Sequence, residues 1–422
     1  MNESVEHTGY WWLPSDPELR IPGRLRFSLQ EGVFLDLSGN FDHELLRDPR
    51  GVNILGQSSF GEPMTIYQAY FQSGESPGAD PTGGKSSFVA NKAFKGVHFS
   101  QMEDAKFKAI AFQAQYLDRW LNLPILKYKL LNRGFSLTYK RPGLISFSPI
   151  DELKIKINFE TSGPAIGSTV TDVSFTHRAV FLIELSDIAH FNSFAEILVH
   201  LANFLALAVA APVRPIAVYG WVPATGSDEV SERATGVDVL LPIYTLPQEG
   251  NISPFNMLFT YSDIKDRFGV FLENWFKKRE LLQPVFDLFF GVLYNTNPYP
   301  VTTFLNYIQA IETYHMRKGF PSSNRSLLAK RLAEVIDFYP FPVTSQVGSH
   351  EFFIGKVKDT RNYYTHYDPS LEKKAAKGGY LKGLLSTLGS LLEGLLLHEL
   401  GFELEEVKEM QKKRRRLPSV WF

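Results

Sequence analysis

Two kinds of periodicity divide the chain. Across residues 9–190, short apolar segments with β-branched or aromatic bias recur, with Gly and Pro punctuating them about every ten residues. Arg24–Phe27 and Val33–Leu37 flank Gly32 in a hairpin-like arrangement. Met64–Phe71, Phe107–Ala111, Lys154–Phe159 and Val180–Leu185 have the same length and bias, and all read as strands. A loop rich in Gly, Ser and Pro spans Gln72–Ser87, and no internal repeat is evident. From about Ser262 the period changes to 3.6. One helix opens at Ser262-Asp263-Ile264-Lys265 and runs toward Lys278, and Leu281–Tyr294 continues helical. Phe304, Leu305, Ile308, Ile311 and His315 share a face of the next helix. Ser326 caps another, with Leu328, Leu332, Val335 and Ile336 inside. Ser349 opens a further helix whose apolar stripe is Phe353, Val357, Tyr364 and Tyr367, stopped by Asp368-Pro369. The last repeats Leu381, Leu384, Leu385, Leu388, Leu391, Leu392 and Leu395 and ends at Gly401. Gly383, Gly389 and Gly394 interrupt it at a cost in propensity, so close helix packing is expected as compensation. The pattern predicts a two-domain α+β chain: a β-rich N-terminal domain over 1–275 and an all-α helical bundle over 276–422.

The longest apolar stretch, Ile197–Val213, contains His200 and Asn203 and ends in Pro212-Val213. Its length falls short of the roughly 20 residues needed to cross a bilayer. It is expected to be a buried helix of the N-terminal domain, opened by a capping box of Ser193 and Glu196, with no membrane as partner.

Composition adds exclusions. The 422 residues are 44% hydrophobic and 21% charged, which is ordinary for a folded chain, and the 14% aromatic content supplies volume for large cores. Cysteine is absent, which removes disulfides, thiolate catalysis and Cys-ligated metal sites, and fits a reducing compartment. The polar, acidic opening Met1–Glu6 lacks a signal-peptide pattern, so a cytoplasmic location is expected. The net charge of −1 hides an asymmetry: residues 281–422 carry 18 basic and 14 acidic residues, leaving −5 on the remainder. A polyanionic partner is therefore sought in the C-terminal third.

One short motif imitates a phosphate loop. Ala79-Asp80-Pro81-Thr82-Gly83-Gly84-Lys85-Ser86 has the spacing, but a nucleotide site needs a strand running into the loop and a helix starting at Lys-Ser. Neither flank reads so, and the segment is taken as a surface loop.

The stronger candidate lies near the end of the helix opened by Ser349, in Arg361-Asn362-Tyr363-Tyr364-Thr365-His366. Asn362 and His366, four apart, share a face, whereas Arg361 and His366 lie about 140° apart, so the long Arg side chain must reach around. A two-fold dimer would set two such motifs around one groove. The residue types suit RNA cleavage. RNA brings its own nucleophile, the 2′-OH, so an enzyme has only to move protons and stabilise charge. Imidazole exchanges a proton near neutrality, and guanidinium offers a planar fork to phosphate oxygens. Asn362 can hold the imidazole or contact phosphate. This chemistry requires no metal or other cofactor, and no His-Glu-x-x-His run occurs.

This segment, on a late helix of a C-terminal bundle, resembles the HEPN superfamily signature of Arg, a polar residue and, after four to six intervening residues, His. The stretch from about Pro300 to Gly401 is similar to the Apea-like HEPN domain. The opening Gly9-Tyr10-Trp11-Trp12-Leu13-Pro14, with Gly23–Phe27 and Gly32–Leu35, resembles the N-terminal domain that accompanies it in bacterial anti-phage proteins of the Apea type. The resemblance implies a metal-independent endoribonuclease of abortive infection acting on host or phage RNA such as tRNA or mRNA, with Arg361 and His366 as the catalytic pair and Asn362 at the polar position. It also implies a homodimer through the bundle. Glu312 and His315, on a helix expected to face the motif, are candidate supports, with Glu312 orienting His366; Tyr367 is a third. Lys412, Lys413, Arg414, Arg415 and Arg416 are candidate phosphate contacts, or a tail neutralising Glu403, Glu405, Glu406 and Glu409. The acidic N-terminal domain shows no active site; Trp11 and Trp12 read as core, and a sensing or restraining role toward a phage-derived trigger or inhibitor is expected. The alternative is a non-catalytic bundle that binds RNA or nucleotide, or dimerises, with the activity in the N-terminal domain.

Overall fold

The computed structural model describes residues 5–41, 49–74, 84–163, 175–223, 234–242, 252–295, 297–321, 327–339 and 349–415, with the side chains of the last two left aside. Its contacts form two compact units. One comprises Met1–Asp118, Leu123–Ala202 and Val213–Gly250; the other comprises Arg119–Asn122, Asn203–Pro212 and Asn251–Phe422.

The first unit opens with β1 (Val5–Leu13), β2 (Asp16–Ser28), β3 (Gly32–Leu37), β4 (Val52–Ser58), β5 (Pro63–Gly74), β6 (Ser86–Ala90) and β7 (Lys92–Lys95). The first six close into a ring in the order β5-β4-β1-β2-β3-β6, because β6 pairs back onto β5. Alternation along each strand sends Trp11, Leu25, Leu35, Ile54, Met64, Ile66 and Phe88 into one sealed apolar interior. Closure removes the open edges such strands would otherwise expose. Trp11 is fully buried and Trp12 nearly so, as expected of core aromatics. The segment after Gly84 is strand β6, not a helix, so the phosphate-loop geometry is missing where Lys85-Ser86 would need it. Residues 75–83 lie outside the described residues.

The chain continues through β8 (Lys106–Ala114), the single turn α1 (Leu117–Leu121), β9 (Leu126–Leu131), β10 (Gly134–Tyr139), β11 (Ile145–Ile150), β12 (Leu153–Ser162), β13 (Thr176–His190), α2 (Phe191–Val209), β14 (Pro215–Val222) and β15 (Thr235–Leu240). An antiparallel arm, β7-β15-β14-β8-β13-β12-β11, extends from β5, while β9 and β10 form a separate two-stranded ribbon. The start of α2 corrects the expected cap. The helix begins at Phe191, the imidazole Nδ1 of His190 accepts the Asn192 amide at 3.2 Å, and Ser193 lies inside the helix. The Phe191 ring packs among Phe94 and Phe107. At 19 residues α2 also exceeds the length read from the sequence. It and the helix Gly378–Leu400 are long and apolar enough to cross a membrane, and both are mostly buried within the protein.

The second unit is helical: α3 (Tyr261–Ile264), α4 (Phe268–Lys277), α5 (Arg279–Leu293), α6 (Pro300–Arg317), α7 (Leu328–Phe338), α8 (His350–His366), α9 (Gly378–Leu400) and α10 (Leu404–Arg415). The single helix expected from Ser262 to Lys278 is two. Thr260 and Asp263 exchange hydrogen bonds in a capping box that starts α3 early, and α4 restarts at Phe268. Residue 275, after which the domain division was expected, lies within α4. Residue Ser326, the expected cap of α7, is outside the described residues. Phe268, Phe271, Leu272 and Trp275 of α4 are buried; Trp120 and Phe204 meet the Phe268 ring at a tilt, and Phe204 meets Trp275 edge-on.

Helix α6 packs against α5, α7, α8 and α9. The leucines of α9 fill the centre, with Leu384, Leu388, Leu391, Leu392 and Leu395 fully buried; each such side chain is worth about 1.5–3 kcal/mol of transfer free energy. Gly389 and Gly394 serve packing, as expected. A Cβ on Gly394 would stand 2.5 Å from the Tyr339 hydroxyl, and one on Gly389 3.2 Å from the Tyr307 ring. Gly401 ends α9 in the left-handed region at φ 113°, and α10, which the leucine pattern did not announce, follows.

One buried carboxylate links this bundle. Glu399, 5% exposed, receives the Tyr314 hydroxyl at 2.7 Å and the ammonium groups of Lys278 and Lys318 at 2.9 Å each. Burial opposes its charge, but hydrogen bonds from Lys318, Lys278 and Tyr314 outweigh that and hold the carboxyl below its ordinary value. Burial and the neighbouring Glu399 charge push the Tyr314 phenol far above its ordinary range.

Candidate active site

Helix α8 carries the motif. Ser349 caps it, its hydroxyl accepting the Phe352 amide, as the sequence indicates. Phe353, Val357 and Thr360 recur at spacings of four and three and are fully buried, so they anchor one face. The expected stripe does not continue to Tyr367. That residue lies beyond the last helical turn with φ 52° and ψ 34°, 62% exposed, its amide donating to the Tyr363 carbonyl. A left-handed tyrosine costs about 1–2 kcal/mol of backbone strain. Asp368 then accepts the Ser370 amide at 2.9 Å and starts a short turn at Pro369, which cannot continue the helix. Those Ser370 hydrogen bonds, with the nearby His366, hold the Asp368 carboxyl below its ordinary value.

The last two turns of α8 present the three motif residues. Arg361 and Asn362 are half-buried, and the guanidinium donates to Asn362 Oδ1 at 3.4 Å. His366 is exposed. Thr365 ties its hydroxyl to the Arg361 carbonyl at 2.8 Å. Tyr363, Tyr364 and Tyr367 pack edge to face on one another, with ring centroids 5.0 to 6.1 Å apart.

The segment after α8 braces it through contacts that motif spacing did not reveal. Thr360 accepts the Ala376 amide, Tyr364 donates to the Ala376 carbonyl at 3.2 Å, and Lys356 donates to the Lys374 carbonyl at 2.7 Å. Lys377 lies 5.5 Å over the Tyr363 ring while paired with Glu372 at 2.6 Å. The available signal is the basic cluster Lys373-Lys374-Ala375-Ala376-Lys377, seven residues beyond His366.

Glu312 and His315 are placed elsewhere. Arg331 of α7 holds the Glu312 carboxylate at 3.1 Å, so the expected orienting contact with His366 is not formed. His315 is 1% exposed, stacks on Phe320, and sets Nε2 2.7 Å from Glu334 of α7. Both residues sit on the side of α6 that meets α7, where apolar packing and paired charge fix them. In the basic run, Lys412 and Lys413 are exposed and Lys412 pairs with Glu409 at 2.5 Å, as does Lys408 with Glu405 at 2.6 Å. The side chains of Arg414 and Arg415, and all of Arg416, lie outside the described residues. No group of three or more His, Asp or Glu residues that could hold a metal occurs among the described residues.

The family model of the ApeA N-terminal domain 1 matches residues 6–275. The chain belongs to the ApeA family. Within this ApeA-type chain the Apea-like HEPN model matches residues 305–406, which takes in α8 and the whole motif. The pairing of domains is the one its sequence resembles, and the family carries a nuclease and anti-phage role in general terms. Neither curated proteins nor solved structures yield a match.

Proposed function

We propose that this ApeA-type protein is an endoribonuclease of anti-phage defence whose HEPN bundle cleaves RNA at Arg361, Asn362 and His366. The observation that carries the reading is a half-buried guanidinium–amide pair beside an exposed imidazole on the last two turns of α8, within the HEPN match.

In the reaction, the 2′-oxygen of a ribose attacks the adjacent phosphorus and the P–O5′ bond breaks. This leaves a 2′,3′-cyclic phosphate and a 5′-hydroxyl. Arg361 neutralises the charge that builds on the non-bridging oxygens, with its fork steadied by Asn362. His366 takes the 2′-OH proton or delivers one to O5′. One imidazole cannot do both in a single step, so the same residue of a second copy carries out the other transfer: it protonates O5′ where His366 takes the 2′-OH proton, or takes that proton where His366 protonates O5′. A homodimer through the bundle is therefore part of the reading. Since neither role uses a metal, cleavage proceeds in excess chelator. The β-rich unit senses a phage-derived trigger or restrains the nuclease.

The test is cleavage of single-stranded RNA and of tRNA by the full chain in EDTA, beside plaquing on cells that carry it. Wild type cuts and protects; Arg361→Ala and His366→Ala, at equal protein level, do neither. Variants that cut or protect as well as wild type would overturn the assignment and leave a binding or dimerisation module.

A further inference from the structure

Between Arg119 and Ile150 the chain has six basic residues and no acidic one, against a net charge of −1 overall. The β9–β10 ribbon occupies this stretch. Its register pairs Leu126 with Tyr139, Tyr128 with Leu137 and Leu130 with Phe135. Directly paired residues share a face, so these six apolar side chains line one side of the ribbon, while Lys127 and Lys129, with Leu131 at the turn end, line the other. At one end Tyr139 is half-buried against Phe175 and His177; the rest of the apolar side is open to solvent, with Leu130 74% exposed, Phe135 66%, Tyr128 61% and Leu137 53%. Neither long edge pairs with a third strand among the described residues. A two-stranded ribbon with a solvated apolar face is marginal by itself, and open edges beside an apolar patch mark a place for a partner.

We propose that this ribbon docks an acidic protein by accepting from it an extended segment of alternating apolar and acidic residues as a third strand. Period-two geometry gives the reason. A strand added to an edge continues the apolar side with its apolar residues and sets its carboxylates on the side of Lys127 and Lys129. The occupant follows from charge. A second copy would bring six like charges against the same surface. A bilayer that received the apolar side would turn Lys127 and Lys129 away from the headgroup phosphates. An RNA backbone drawn to the lysine side would leave Tyr128 and Phe135 on the opposite side, out of reach for base stacking. This inference is independent of the nuclease reading.

The test uses the full chain and a fluorescent twelve-residue peptide of alternating valine and glutamate, read by anisotropy. Lys127→Glu/Lys129→Glu and Leu130→Ser/Leu137→Ser change exposed side chains, so circular dichroism and Tm should stay at wild-type values. Wild type binds the peptide, each double variant binds at least tenfold more weakly, and salt weakens the wild-type complex. No binding by wild type, equal binding by both variants, or equal binding of a valine–lysine peptide would overturn the proposal. Variant-sensitive binding to phosphatidylglycerol vesicles or to oligo-uridine in place of the peptide would overturn it in favour of lipid or RNA. Loss of self-association in the serine variant would overturn it in favour of a second copy.

Discussion

The hydroxyl of Thr360 accepts the backbone N–H of Ala376 at 2.9 Å, in the protein interior and one residue before Arg361. This bond joins the end of α8 to the segment that follows, so the motif residues hang on a helix terminus that is held from its buried side. The Tyr364 hydroxyl on the Ala376 carbonyl completes the clamp.

Thr360→Val keeps the shape of the side chain but leaves the Ala376 amide buried without an acceptor. It is expected to lower unfolding stability by about 1–3 kcal/mol. Thr360→Ser retains the acceptor and should lie nearer wild type. Urea unfolding followed by circular dichroism distinguishes them; equal midpoints for both variants would show that the bond contributes nothing.

Arg361→Lys preserves the charge but loses the planar fork that fits two phosphate oxygens. Under the proposed function, RNA cleavage falls at least tenfold. Because His366 is exposed, His366→Ala should abolish cleavage while moving stability by no more than about 0.5 kcal/mol. Thermal unfolding and gel assays on the same preparations check this, and a variant that loses activity only by unfolding would not count.

Glu399→Gln leaves the partly exposed Lys278 and Lys318 facing a neutral amide and is expected to cost about 1–3 kcal/mol. The pH dependence has two limbs. The folded carboxyl is held below its ordinary value of 4.5, so its contribution is present above that pH and is lost as pH falls through the lower folded value. The Tyr314 phenol is raised above its ordinary 10.0, so its contribution is full below pH 10 and is lost as pH rises beyond it. Stability measured across pH should therefore lose part of its acid-side slope in Glu399→Gln and part of its alkaline slope in Tyr314→Phe.

Gly394→Ala places a methyl 2.5 Å from the buried Tyr339 hydroxyl and displaces that ring. Overpacking of this kind costs about 1–3 kcal/mol, although alanine has the higher helix propensity. A stability gain in Gly394→Ala would mean that the glycine serves something other than α9 packing.

Much of the helical unit was legible because helices are local. The 3.6 period located α5 to α9, the Ser349 cap placed the start of α8, and Asp368-Pro369 placed its stop. The motif was legible for the same reason, since Arg361, Asn362 and His366 lie within six residues of one helix. The partners that hold it were not. Thr360 and Ala376 are sixteen residues apart, and nothing in either residue type announces the bond.

What the sequence by itself determined is the α+β division and the position of the motif, both carried by short-range spacing. Only the tertiary structure decided that Glu312 goes to Arg331, that His315 goes to Glu334, and that β6 returns to β5 to close the barrel. A side chain's partner and a strand's neighbour depend on which surfaces meet after the chain has collapsed. Residue type and period constrain which side is buried, but not against what.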